Sequence, residues 1–274
     1  MKNLILLALI ISTCAVHGQR KPKIKGNKAV IDVREDLPAY NAIELNDDLE
    51  IVLQKSSNPG YTITADDNLI DVLKFQVKDS TLIISSFYKI TAKKKLEITV
   101  NYNELQSITL REGVVKMDDI ISTYQLNINT FGASRLELNA STTLTHLNME
   151  GQSSGDFNLD SDSLSVNLKD RVDASIYMVG TGSNVEMHKN ASVRMEGTAD
   201  TLNLKLFENA KFKGEKLEAA VVNAELEETT NAEINAFREI MLSSRGSART
   251  NLYGNPKITI IEFLDSSELH KQAD

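Results

Sequence analysis

Between Leu126 and Leu206 the apolar residues come in doublets that flank one polar residue, and the doublets return every eight to eleven positions. In order they are Leu126/Ile128, Leu136/Leu138, Leu147/Met149, Phe157/Leu159, Val166/Leu168, Ile176/Met178, Val185/Met187, Val193/Met195 and Leu204/Leu206. Between them lie polar and glycine-rich clusters such as Gly151-Gln-Ser-Ser-Gly155-Asp156 and Gly180-Thr-Gly182-Ser-Asn184. Alternation within a doublet is the strand period, and recurrence at a fixed step marks a stacked repeat. Two successive doublets make one unit, with Leu126, Leu147, Val166, Val185 and Leu204 in corresponding places. Two short strands and two bends would then complete one coil of about 20 residues. Stacking such coils pairs every amide with its neighbours and buries the doublets in a tube.

The expected fold is therefore all-β, a parallel β-helix, with strand-like alternation extending on both sides of the regular stretch. Upstream, Ile43/Leu45, Leu49/Ile51/Leu53, Tyr61/Ile63, Phe75/Val77, Leu82/Ile84 and Leu96/Ile98/Val100 are separated by turns such as Ser57-Asn-Pro-Gly60. Asp66 to Leu73 breaks the alternation and reads as a local helix of one or two turns. Downstream, the Glu-rich Leu217 to Ala236 reads as strand because its neighbours do. Ile258 to Phe263 is a last strand. An antiparallel sandwich would also space short strands this way, but nothing in it requires so even a beat. A membrane barrel needs strands of about 9–11 residues, and each doublet spans three. A chain with 5% aromatic residues and no Trp suits a narrow aliphatic tube better than a thick core.

The ends set the organisation. Met1 to Gly18 has a cation, an apolar run and a small-residue site, the form of a secretory signal peptide. Cleavage near Gly18 is preferred over a lipoprotein signal that would lipidate Cys14, the single cysteine, because Thr13 fits poorly before a lipidated cysteine. Losing residues 1–18 removes one charged side chain, Lys2, and takes the net charge from −8 to −9. An acidic exported chain repels nucleic acid and anionic lipid. Arg20 to Lys28 carries five cations and reads as a solvated leader. The expected divisions are a signal at 1–18, a basic leader and first strand at 19–37, a solenoid at 38–264 and a polar tail at 265–274. No other segment is apolar enough for a transmembrane helix.

Chemistry is sparse. His146, His188 and His270 have no metal-ligand spacing. Asp47-Asp48, Asp66-Asp67, Asp118-Asp119 and Asp160/Asp162 match no calcium-loop pattern. Glu137 with Asp156 or Asp160 could imitate the paired carboxylates of a polysaccharide-cleaving β-helix, but chance supplies such pairs in so acidic a chain. No catalytic residue, cofactor or metal is expected. The polar residue inside each doublet points outward in the coil reading, and Asn127, Asn148, Asn167 and Glu186 would line one face as an amide-rich strip. The strip would serve structure first and a ligand second. Partners in reach are an envelope or surface protein, a glycan, or a second copy through an end coil.

Ala65-Asp66-Asp67-Asn68-Leu69, Thr81-Leu82-Ile83-Ile84, the repeated short strands, and the close at Ser244-Arg-Gly246-Ser247-Ala248 and Leu252-Tyr253-Gly254-Asn255-Pro256 carry a resemblance. Over roughly residues 38–256 the chain resembles the putative auto-transporter adhesin head (GIN) domain family. Its Gly-Ser-Gly turns are mostly eroded, as at Gly132-Ala133-Ser134 and Gly197-Thr198-Ala199. The resemblance implies a right-handed parallel β-helix in an exported, surface- or envelope-associated protein, and it brings no catalytic residues.

Overall fold

The computed structural model describes residues 21–272; the segment expected to be a signal, with Cys14, lies outside the described residues. The chain forms a parallel β-solenoid of about 9 turns. Its N-terminal portion comprises β1 (Lys23–Lys25), β2 (Val30–Asp36), β3 (Ala42–Leu45), β4 (Glu50–Lys55), β5 (Gly60–Asp66), the one-turn helix α1 (Asp67–Ile70), β6 (Leu73–Lys78), β7 (Thr81–Ser86), β8 (Lys89–Ala92) and β9 (Leu96–Tyr102). The stack continues through β10 (Ser107–Leu110), β11 (Val114–Thr130), β12 (Arg135–Met149), β13 (Ser154–Leu168), β14 (Asp173–Met187), β15 (Ser192–Leu206), β16 (Lys211–Leu226) and β17 (Asn231–Ser244). It closes with β18 (Arg249–Tyr253), β19 (Lys257–Phe263) and β20 (Glu268–Lys271).

Every pairing from β10 onward is parallel. Arg135, Ser154, Asp173, Ser192 and Lys211 stand above one another at a constant step. The step lengthens by one residue from Lys211 to Asn231 and is one shorter than the regular step from Asn231 to Arg249. Two short strands per coil were expected; each middle coil is instead one ladder with a corner. In β12 the inward residues are Leu136, Leu138 and Ala140, then Thr145, Leu147 and Met149. The change from even to odd numbers marks the corner, which divides the coil into two faces.

The doublets fill the tube as expected, but one alignment differs. Leu147 stands over Ile128, not Leu126. Leu126 lies in a column with Thr145, Leu164, Ser183 and Leu202, where buried hydroxyls alternate with leucine. Thr145 is accommodated because Thr142, Thr145 and Ser161 hydrogen-bond among themselves, with Thr142 and Thr145 oxygens 2.6 Å apart. Hydroxyls at these inward positions hide the apolar periodicity and shift the apparent frame by two residues.

The four-residue turns between coils stack as regularly as the strands. Their second residues, Gly132, Gly151, Asp170, Lys189, Glu208, Glu228, Gly246 and Asp265, all have positive φ, between 59° and 85°. Successive turns are joined by backbone bonds such as Gln152 N–H to Gly132 O at 2.7 Å and Asn190 N–H to Asp170 O at 2.9 Å. Five of the eight positions carry a side chain despite this left-handed conformation. Cβ crowding against the following carbonyl makes that region unfavourable for an L-residue. Stacking thus imposes the turn even where its glycine is lost.

The N-terminal portion closes the tube differently. β3 and β4 pair parallel with β7 and β9. Beyond those, β6, β5 and β2 extend the stack antiparallel, β6 on β7, β5 on β9 and β2 on β5. Asp66 is fully buried at the join, its carboxylate accepting backbone N–H groups of Lys28 at 3.2 Å, Lys94 at 3.0 Å and Lys95 at 3.3 Å. Those donors, led by Lys94, hold its pKa below the usual aspartate range against the opposing effect of burial. The next residues complete the joint: Asp67 starts α1, Asn68 receives Asn27 N–H at 2.9 Å and donates to Lys25 O at 2.9 Å, and Leu69 is buried.

Both ends depart from their expected character. From Lys21 on, the basic stretch is tied down: Lys21 pairs with Asp47, and β1 runs parallel beside β8. Lysine and proline content predicted solvation, but strand pairing depends on backbone, which composition does not report. The residues from Asp265 to Lys271, expected as a polar tail, enter the turn column and form β20 against β18.

Candidate functional site

The outward residues of each strand form columns along the axis, with neighbouring members about 4.8 Å apart. On the face that follows the corner, one column runs Asn129, Asn148, Asn167, Glu186, Lys205 and Glu225. Beside it runs Asn127, His146, Ser165, Asn184, Asn203 and Asn223. Three of the four residues expected to line the strip, Asn148, Asn167 and Glu186, are therefore consecutive in one column. Asn127 shares the face but stands over His146 in the adjacent column.

The amide ladder exists, with membership adjusted. Asn148 Nδ2 donates to Asn129 Oδ1 at 3.2 Å. Asn203 Nδ2 donates to Asn184 Oδ1 at 2.8 Å, and Asn223 Nδ2 to Asn203 Oδ1 at 2.7 Å. Asn129 and Asn184 were missed because neither fell in the frame built on Leu126. Asn129 lies one regular coil before Asn148, and Asn184 one coil before Asn203. Asn148, Asn167, Asn184 and Glu186 are exposed, so a partner can reach their unused donors and acceptors.

On the other face, Glu137 and Asp156 do meet across neighbouring coils. Arg135 binds both, Nε to Glu137 Oε1 at 2.8 Å and Nη2 to Asp156 Oδ2 at 2.6 Å. Its hydrogen bond to Glu137 holds the guanidinium firmly protonated. This is an ion-pair bridge across two coils. Two of the other acids singled out have structural tasks: Asp47 accepts Ser86 N–H at 2.7 Å and Asp119 accepts Lys55 N–H at 2.7 Å. His188 lies in the turn column, 2.8 Å from Glu186 and stacked on Phe207 with centroids 4.8 Å apart. Among the described residues no group of three or more His, Cys, Asp or Glu could hold a metal ion, and no helix is long and apolar enough to cross a membrane.

Coils stacked in parallel with polar columns on two broad faces define the chain as a β-solenoid protein. The pattern of the family described as putative auto-transporter adhesin, head GIN domain, matches residues 39–162 and 140–256, and the chain belongs to that family. Solved structures share its fold. A putative adhesin from Parabacteroides distasonis ATCC 8503 is 16% identical at TM-score 0.62, over 91% of this chain and 100% of that one. A putative adhesin from Parabacteroides merdae ATCC 43184 is 17% identical at TM-score 0.59, with coverage of 91% and 100%. A putative lipid binding protein from Parabacteroides distasonis ATCC 8503 is likewise 17% identical at TM-score 0.59, over 91% and 100% of the two chains. No curated protein matches the sequence.

Proposed function

We propose that this chain is an exported, adhesin-like protein of the cell surface or envelope that binds a protein or glycan through an outer face of its solenoid, without catalysis. The observation that carries the reading is the pair of adjoining polar columns after the corner. They present exposed Asn148, Asn167, Asn184 and Glu186 at the fixed coil spacing on a rigid, hydrogen-bonded backbone. Rigid display lowers the ordering cost that weakens binding by mobile surfaces. Membership of the adhesin family and the signal-like N-terminus support the same reading. The test is capture of envelope extracts on the processed protein, compared with a variant carrying Asn148→Ala, Asn167→Ala and Glu186→Ala. Partners retained by the first and lost by the second are expected. Equal capture by both would remove this face from the account.

A second reading is favoured by the last coil. Ile258, Ile260 and Phe263 stand in core columns yet are 43%, 44% and 42% exposed, because no strand among the described residues covers them. Copies joined through this end would bury them, and sedimentation would show a concentration-dependent dimer that Ile260→Glu abolishes.

A further inference from the structure

The face that precedes the corner carries a shallow, open depression of about 470 Å3, separate from the amide columns. Along it, Asn139, Asn158, Tyr177 and Glu196 form one outward column, and Asp156 and Arg194 belong to the next. Tyr177 is 51% exposed in the middle of this surface, with amides on one side of it and a carboxylate on the other. A tyrosine ring so placed leaves apolar area in water, and a flat polar ligand with an apolar face would recover it. Asn side chains each offer two donors and one acceptor oxygen, which suits vicinal hydroxyls.

Two further features narrow the ligand. The polar groups repeat at the coil rise of about 4.8 Å, close to the length of one sugar unit in an extended glycan, so successive rings can meet successive coils. Among the lining residues Glu137, Asp156 and Glu196 outnumber Arg194, while Arg135 and Lys216 beside the depression pair with those acids, Glu196 lying 3.4 Å from Lys216. A polyanion gains nothing from such a surface. We infer that this depression is a subsite for a neutral oligosaccharide lying along the solenoid axis, with one pyranose ring stacked on Tyr177 and its neighbours hydrogen-bonded to Asn139, Asn158 and Arg194. The inference rests on the adhesin-like reading and moves part of the binding to the other face.

The experiment is titration of the processed protein with cellohexaose, maltohexaose and mannohexaose, with tri-galacturonate as the acidic control. At least one neutral hexaose is expected to bind, and more tightly than its monosaccharide. Tyr177→Ala should weaken that binding about tenfold, and Tyr177→Phe should keep it. Circular dichroism checks that each variant folds, which the exposure of Tyr177 favours. Silence toward all three neutral hexaoses, preference for the acidic control, or unchanged affinity in Tyr177→Ala would each overturn the subsite. If capture of an envelope partner survives that outcome, the adhesin-like reading stands without it; if capture fails while the hexaose binds through Tyr177, the amide face is lost and the subsite remains.

Discussion

The body of the solenoid and its N-terminal cap solve the same problem by opposite means. In the body, residues one coil apart hold the same job: Ile128, Leu147, Val166, Val185 and Leu204 form one buried column, and each coil is supported by the coils above and below. In the cap a column still runs through Ile51, Ile98 and Ile63, but strand direction reverses at β5 and single contacts hold the layers together. Tyr61 stacks on Phe75 with centroids 4.0 Å apart, Tyr40 donates to Asn101 O at 2.6 Å, and Asp66 joins three separate segments through its carboxylate. Repetition lets the body tolerate local change, whereas closing a tube needs single, specific contacts. The C-terminal end lacks such a layer among the described residues, and its core columns are half open.

The sharpest way to break this comparison is to cut holes in one body column. Leu147→Ala and Leu204→Ala should each cost about 3 kcal/mol by denaturant unfolding, and the two costs should agree because the sites are equivalent. A large difference would deny the repeat. Next comes Asp66→Asn in the cap. Its depressed pKa means that its full contribution is present above the ordinary aspartate value of about 3.9 and is lost as pH falls through the lower folded value. Acid titration of stability should therefore show a shallower low-pH arm in the Asn variant, where Asp170 and Glu268 still contribute, than in the parent, together with a lower Tm at pH 7.

Smaller effects test the turns and the amide ladder. Glu208 has a φ of +62°, a region that glycine adopts freely, and one of its carboxylate oxygens is buried without a partner. Glu208→Gly should therefore stabilise the protein by about 0.5 kcal/mol. Gly151→Ala, at φ +85° with a Cβ 2.9 Å from Gly132 O, should destabilise. Smallest is Asn203→Ala, worth a few tenths to about 1 kcal/mol, which deletes ladder bonds on both sides of one coil; differential scanning calorimetry resolves it.

The two regions also differ in how far the amino-acid sequence discloses them. Body coils are legible because one face of each strand must be apolar, and Leu136, Phe157 and Met178 announce it. The frame slips only where Thr145 and Ser183 occupy inward positions, and Asn127 was misplaced by that slip. The αL turns at Asp170, Lys189, Glu208 and Glu228 carry no glycine and are invisible until stacking reveals them. In the cap, alternation shows that β2, β5 and β6 are strands, but parallel and antiparallel neighbours demand the same alternation, so their direction is not encoded there. Asp66 to Leu69 could be picked out as an interruption; its task as a joint emerges only with the partners from Lys28 and Lys94. The depression at Tyr177 escaped notice because its members come from separate coils and meet only once those coils are stacked in register.

The central claim is the parallel stack with its register, and a pair of engineered cysteines tests it most directly. Asn148→Cys with Asn167→Cys places two thiols directly opposite on neighbouring coils, at the interstrand spacing and within disulfide reach. The account predicts rapid cross-linking on mild oxidation of the processed protein, and none in the control pair Asn148→Cys with Asn158→Cys, which lie on different faces of the tube. Cross-linking of the control pair, with the first pair remaining reduced, would contradict it.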